Sequence, residues 1–175
     1  MRKIYRNFIT AEEAIKIDKD LKTNGKYFLK KRLSVLDEIG WNYITKIIDT
    51  IKEDFDFEIK EQSYFKKEKK NANTPHNWHK DTGSSNHMQW CQVGMSLILK
   101  ESEFGGETYY AKDNDLFNKE YDDNYFYKEG KNDNMKVTNK VKSDRGIYDL
   151  AVHTSDEWHY VTGGDGNRMT LLMFI

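Results

Sequence analysis

Asn77-Trp78-His79-Lys80-Asp81-Thr82 is the stretch on which the reading of this chain turns. On an extended strand, residues two apart point to one face, so His79 and Asp81 can present an imidazole and a carboxylate to one metal ion. Alone the pair is a weak signal, because a third ligand must come from a distant strand. The other histidines are His76, His87, His153 and His159. His76 and His87 lie close to the pair in sequence and read as surface or outer groups. His153 and His159 fall in the strand-rich end of the chain, where His153 reads as structural, with an outer partnership to a ligand open to it.

His159 is singled out by its downstream neighbours. Arg168 stands nine residues on, inside the final apolar segment, and Thr170 shares its face. A guanidinium beside a hydroxyl inside a barrel suits a carboxylate, which arginine holds bidentately at fixed charge. A salt-bridged arginine at the core edge is the plainer reading, but a buried charge needs an acidic partner. Two histidines and one carboxylate leave positions open on an octahedral metal, as non-haem Fe(II) oxygenases require. A closed zinc site would draw on cysteines, and Cys91 is the only one.

Outward from the motif, the chain divides into a helical first third and a strand-rich remainder. Thr10 with Glu13 forms a capping box ahead of Ala14, Ile17 and Leu21, which share one helical face; Ile9 and Ala14 could staple its start. That helix is expected to end near Asn24-Gly25. A second is expected over Leu36 to Asp54, with Leu36, Ile39, Tyr43, Ile47 and Ile51 at spacings of three and four. From Phe57-Glu58-Ile59 onward the pattern reads as short strands. These include a segment with Tyr64 and Phe65, the alternating Val93, Met95, Leu97 and Leu99, then Glu107 to Tyr110, Ile147 to Val152, and Arg168 to Ile175. Between Ala111 and Asp144 lies a polar stretch with aromatics at Tyr121, Tyr125, Phe126 and Tyr127. It reads either as a flap beside the site or as a surface insertion held by its own aromatics.

Four pieces in order resemble the Fe(II)/2-oxoglutarate dioxygenases, most closely the prolyl 4-hydroxylase-like branch. His79-Lys80-Asp81 is similar to the family's His-x-Asp metal motif. Phe104-Gly105-Gly106-Glu107-Thr108 is similar to its Gly-Gly-Glu turn into a core strand. His159-Tyr160-Val161 resembles its second metal motif, and Arg168 its 2-oxoglutarate arginine. The resemblance implies a mainly β fold with N-terminal helices, a cupin-like double-stranded β-helix or jelly roll. One domain would span 1–175, with a helical brace over 1–56 and a barrel over 57–175 carrying the polar insertion at about 111–145. It implies Fe(II) on His79, Asp81 and His159, 2-oxoglutarate on Arg168 with Thr170 as helper, and dioxygen as oxidant, with ascorbate as a further reductant. A tyrosine on an early strand often completes the co-substrate pocket, which points to Tyr64, although a core role suits Tyr64 as well.

The implied activity is hydroxylation of a C–H bond, first of a peptidyl residue such as proline, with succinate and CO2 as co-products. A free amino acid or other small molecule is the second substrate class, and a non-catalytic metal-binding jelly roll the reading from another class. The insertion after Ala111 is longer than in compact relatives, Asp156 to His159 lacks the proline often found nearby, and no peptide-binding element is recognisable. The resemblance therefore speaks more for the cofactor chemistry than for proline. Trp78, Trp90 and Trp158 could line a cleft but more simply fill the barrel.

Composition narrows the partners. The net charge of −1 over 175 residues gives no support to nucleic acid, including its demethylation, or to a membrane surface. Lysine clusters at 66–70 and 128–131 read as solvated faces. Met1 to Phe8 lacks an apolar signal core, and Leu171 to Ile175, the longest apolar run, is too short for a bilayer. The lone cysteine fits a cytoplasmic compartment. Abundant Lys, Asn, Asp and Ile fit an AT-rich bacterial or viral source.

Overall fold

The computed structural model describes residues 1–22, 28–35, 42–69, 75–82, 88–122 and 136–175. Among the described residues, ten strands form two antiparallel sheets. The larger contains β1 (Arg2–Tyr5), β2 (Phe28–Arg32), β3 (Tyr64–Lys69), β5 (Val93–Lys100), β8 (Leu150–Thr154) and β10 (Met169–Phe174), in the order β1-β8-β5-β10-β3-β2. The smaller contains β4 (His76–His79), β6 (Thr108–Ala111), β7 (Lys140–Lys142) and β9 (His159–Val161), in the order β4-β9-β6-β7. Residues of both sheets line one cavity between them, the arrangement expected of a jelly roll.

Alternation along the central strands decides what faces where. Phe65, Val93, Leu97, Leu99, Leu150, Val152, Leu171 and Met173 point outward into a core shared with two helices. Ser96, Thr170, Leu172 and Phe174 point the other way, into the cavity. Helix α1 (Ala11–Asp20) begins with the expected capping box, Thr10 accepting from the Glu13 amide and Glu13 accepting from the Thr10 amide. Helix α2 (Asn42–Ile51) buries Ile44, Ile47, Ile48 and Ile51 on one face. Each such burial stabilises by about 1.5–3 kcal/mol, which explains why so short a helix holds. At its other end α1 is tied to the sheet by Lys67, whose buried ammonium donates to the carbonyls of Asp18 at 2.8 Å and Leu21 at 2.9 Å. A cation suits a helix C-terminus, where carbonyls lack partners.

A second core covers the outer face of the smaller sheet. Trp78, Trp158 and Tyr160 pack there against Phe117 of α3 (Asn114–Glu120). These tryptophans are therefore filling, and Trp90 lies edge-on to Tyr64 instead.

The structure departs from the sequence expectations in several places. The first third also supplies β1 and β2, which pair with β8 and β3, so 1–56 is more than a helical brace. Neither strand shows an apolar period of its own; sheet partners impose the extended form. Helix α1 ends at Asp20 and α2 at Ile51, and Phe57 to Ile59 is not a strand. Asn24, Gly25, Leu36, Ile39, His87 and Tyr125 to Tyr127 lie outside the described residues. The polar insertion opens with α3, whose Phe117 is fully buried behind the smaller sheet.

Candidate metal centre and anion pocket

His79 ends β4, His159 begins β9, and the two are cross-strand partners. Because side chains alternate, Trp78 and Trp158 point to the outer core while the adjacent histidines point into the cavity. Each ring is fixed in the same way. The His79 Nδ1 lies 2.6 Å from the Asn77 carbonyl, and the His159 Nδ1 lies 2.9 Å from the Glu157 carbonyl. A carbonyl can only accept, so Nδ1 carries the proton and Nε2 offers its lone pair. Both Nε2 atoms face the same oxygen, Asp81 Oδ1, at 3.8 and 3.7 Å. These separations are too long for hydrogen bonds and suit ligands sharing one ion at ~2 Å from each. The three ligand atoms lie within 4.8 Å of one another.

Protonation states match that use. Burial would raise the Asp81 carboxyl, but His159, His153 and His79 together hold it well below the ordinary carboxylate range. Burial, and then the neighbouring His79 and His153, push His159 well below its ordinary 6.5, which keeps it neutral as a ligand must be.

His153 belongs to the site as an outer partner. Its Nε2 donates to Asp81 Oδ2 at 2.9 Å, and its Nδ1 accepts from the Tyr110 hydroxyl at 3.1 Å. Asp81 thus keeps one oxygen for a metal while the other is held. The approach depends on Gly94. A Cβ there would stand 2.0 Å from Asp81 Oδ2 and 2.8 Å from His153 Nε2. Sequence reasoning passed over Tyr110 and Gly94. The available signal was a glycine inside an otherwise apolar alternating strand, which marks a close approach.

Arg168 precedes β10 and lies in the same cavity, 5% exposed. Its Nη1 donates to the Gly106 carbonyl, and its Nε has no partner among the described residues. That carbonyl is presented by the Gly105-Gly106 turn. Both glycines have positive φ, 69° and 71°, and a Cβ at Gly105 would sit 2.0 Å from the Gly163 oxygen. Burial, and then the charge of Arg145, push the Arg168 guanidinium down to about 9, with Glu68 and Glu101 pulling the other way. At neutral pH it stays charged.

Thr170 lines the cavity as well. The structure thus brings together His79, Asp81, His159, Arg168 and Thr170. Tyr64 is placed elsewhere: its hydroxyl donates to the Met88 sulfur at 3.7 Å, and its ring packs on Phe174 and Trp90. The tyrosine lining the cavity is Tyr110, and His76 stands exposed beside His79 with ring centroids 4.8 Å apart.

The sequence matches no family model and no curated protein. Solved structures do resemble it. HygX from Streptomyces hygroscopicus, with iron bound, superposes with a TM-score of 0.70 at 8% identity, over 99% of this chain and 81% of that one. A Pseudomonas putida prolyl-4-hydroxylase gives 0.60 at 12% identity, covering 99% and 83%. The viral collagen prolyl hydroxylase of Paramecium Bursaria Chlorella virus-1, in its 2OG complex, gives 0.57 at 12%, covering 99% and 93%. At such identities the likeness establishes architecture: the chain has the double-stranded β-helix fold of the prolyl 4-hydroxylases.

Proposed function

We propose that the protein is a non-haem Fe(II)- and 2-oxoglutarate-dependent dioxygenase that hydroxylates a C–H bond, of a peptidyl residue such as proline in the first instance. The observation that carries this reading is one cavity holding His79, Asp81 and His159 in ligand geometry together with a buried Arg168 that has no acidic partner among the described residues. A non-catalytic metal-binding module would need the first three groups but not the last. The residues fit the metal: two Nε2 atoms and one carboxylate oxygen converge, and no lysine or arginine is hydrogen-bonded to Asp81 Oδ1 among the described residues. Bound Fe(II) would supply oxygen activation coupled to decarboxylation of the 2-oxo acid.

The chain's own residues do the rest. Two backbone carbonyls hold the imidazole tautomers, and His153 orients Asp81. Arg168 would take the distal carboxylate of 2-oxoglutarate, with Thr170 beside it. Iron in HygX and 2OG in the viral collagen prolyl hydroxylase support both occupants. The prolyl hydroxylases among similar folds support a peptide substrate. Among the described residues, no helix is long and apolar enough to cross a membrane.

The test is an anaerobic titration with Fe(II) and 2-oxoglutarate, watching for the visible charge-transfer band of a chelated 2-oxo acid. Succinate release is then measured with proline-containing peptides and with free amino acids. A band requiring both components supports the cofactor reading; metal binding without a band refutes it. Succinate release stimulated by free amino acids but not by peptides would move the substrate to the small-molecule class.

A further inference from the structure

A second guanidinium lies in the cavity. Arg145, in the segment between β7 and β8, is half-buried and reaches inward between the sheets. Its Nη1 donates to the Ser96 hydroxyl, and its Nη2 donates to the Thr108 hydroxyl at 2.9 Å. Ser96 belongs to the larger sheet and Thr108 to the smaller, so Arg145 bridges the two walls.

The strand registers give its level. On β5, Gly94 abuts Asp81, Ser96 comes next on the same face, and Ile98 pairs with Thr170. On β6, Tyr110 pairs with His159 and Thr108 comes one step before it, and Gly106, in the turn just ahead of the strand, receives Arg168. Both walls therefore run in the same order: metal ligands, Arg145, Arg168. Each step is two residues, or about 6.6–6.8 Å.

Neither arginine forms an ion pair among the described residues. The acids that act on them electrostatically are engaged elsewhere or exposed. Glu68 lines the same cavity but its carboxylate is paired with Lys66, Asp149 pairs with Arg6 at 2.8 Å, and Glu101 is on the surface. Two like charges that share one cavity repel each other, and an anion held between them relieves both.

Building on the 2-oxoglutarate reading above, we propose that Arg145 and Arg168 form a two-guanidinium clamp on the distal carboxylate of that co-substrate, making Arg145 a specificity-determining residue. One arginine suffices to hold a carboxylate. The second, standing between the metal level and the first, raises the preference for a dicarboxylic over a monocarboxylic 2-oxo acid.

The experiment uses the full chain loaded anaerobically with Fe(II), titrated calorimetrically with 2-oxoglutarate and with 2-oxopentanoate, which has the same length but no distal carboxylate. Wild type is compared with Arg145→Gln and Arg145→Met. Methionine keeps a side chain of similar length without charge, and glutamine keeps hydrogen-bonding groups without charge, so the two variants together separate lost charge from lost packing. Both variants are expected to bind 2-oxoglutarate roughly 10- to 100-fold more weakly, the range for a lost charge-assisted hydrogen bond. Affinity for 2-oxopentanoate and for Fe(II) should stay unchanged. An unchanged preference in the variants overturns the proposal, as does an equal loss for both acids, which would show packing rather than charge recognition. Wild-type protein that binds Fe(II) but neither acid would overturn the oxygenase reading and the clamp with it.

Discussion

Gly94→Ala tests the geometry of the metal centre at its tightest point. The added Cβ would stand 2.0 Å from Asp81 Oδ2, where ordinary contact begins near 3.4 Å. Asp81 must therefore retreat by about 1.4 Å, or β5 must shift between β8 and β10, to which it is hydrogen-bonded on both sides. Strand displacement in a packed core costs roughly 1–3 kcal/mol, so part of the strain falls on the side chain. A carboxylate moved by about 1 Å no longer meets an ion held by His79 and His159. It also loses the 2.9 Å hydrogen bond from His153. Loss of such an outer partner alone lowers metal affinity about 10- to 100-fold. Affinity for Fe(II) in Gly94→Ala is therefore expected to fall at least ~10-fold, with the far-ultraviolet circular dichroism retained. The assay is anaerobic competition between protein and a chelating dye of known affinity, alongside thermal denaturation of the apo-protein. Wild-type metal affinity in a folded Gly94→Ala protein would refute the placement of Asp81 against β5.

Four further outcomes are expected. Asp81→Ala should abolish iron-dependent succinate production, since one of three ligands is lost; retained production would remove Asp81 from the ligand set. Arg168→Ala should raise the 2-oxoglutarate requirement by about 10-fold or more while Fe(II) binding persists, and an unchanged requirement would place the carboxylate elsewhere. Tyr64→Phe should leave 2-oxoglutarate affinity within about twofold, because that hydroxyl meets the Met88 sulfur; a large loss would return Tyr64 to the pocket. Asp149 accepts from the Asn7 amide, the Gly146 amide and Arg6, and these bonds outweigh its burial and lower its pKa. Its contribution is therefore full above the ordinary 3.8 and lost as pH falls through the depressed folded value. Asp149→Asn should lower stability by about 1–3 kcal/mol at pH 7 and remove that component of acid unfolding, measured by urea titration across pH; an unaltered pH profile would show that Asp149 carries none of it.

Features that depend on local spacing were legible along the chain. His79 and Asp81 stood out as a pair two residues apart, although β4 ends at His79 and Asp81 lies in the turn that follows, and Arg168 and Thr170 likewise flank the start of β10. The α1 cap was legible because Thr10 and Glu13 satisfy each other's amides within one turn. Contacts fixed by register between strands far apart in the chain were not legible there, because they arise only when the sheets assemble. Arg2–Tyr5 and Phe28–Arg32 are strands because β8 and β3 offer them open edges. His153 meets Asp81 because β8 pairs with β5 so that His153 stands opposite Gly94, the one residue on that strand with no side chain to keep the carboxylate away. Arg145 lies in an irregular segment without periodicity, and its placement comes from hydroxyls on two different sheets. Spacing along the chain determines which groups point together, and the pairing of distant strands determines what they meet.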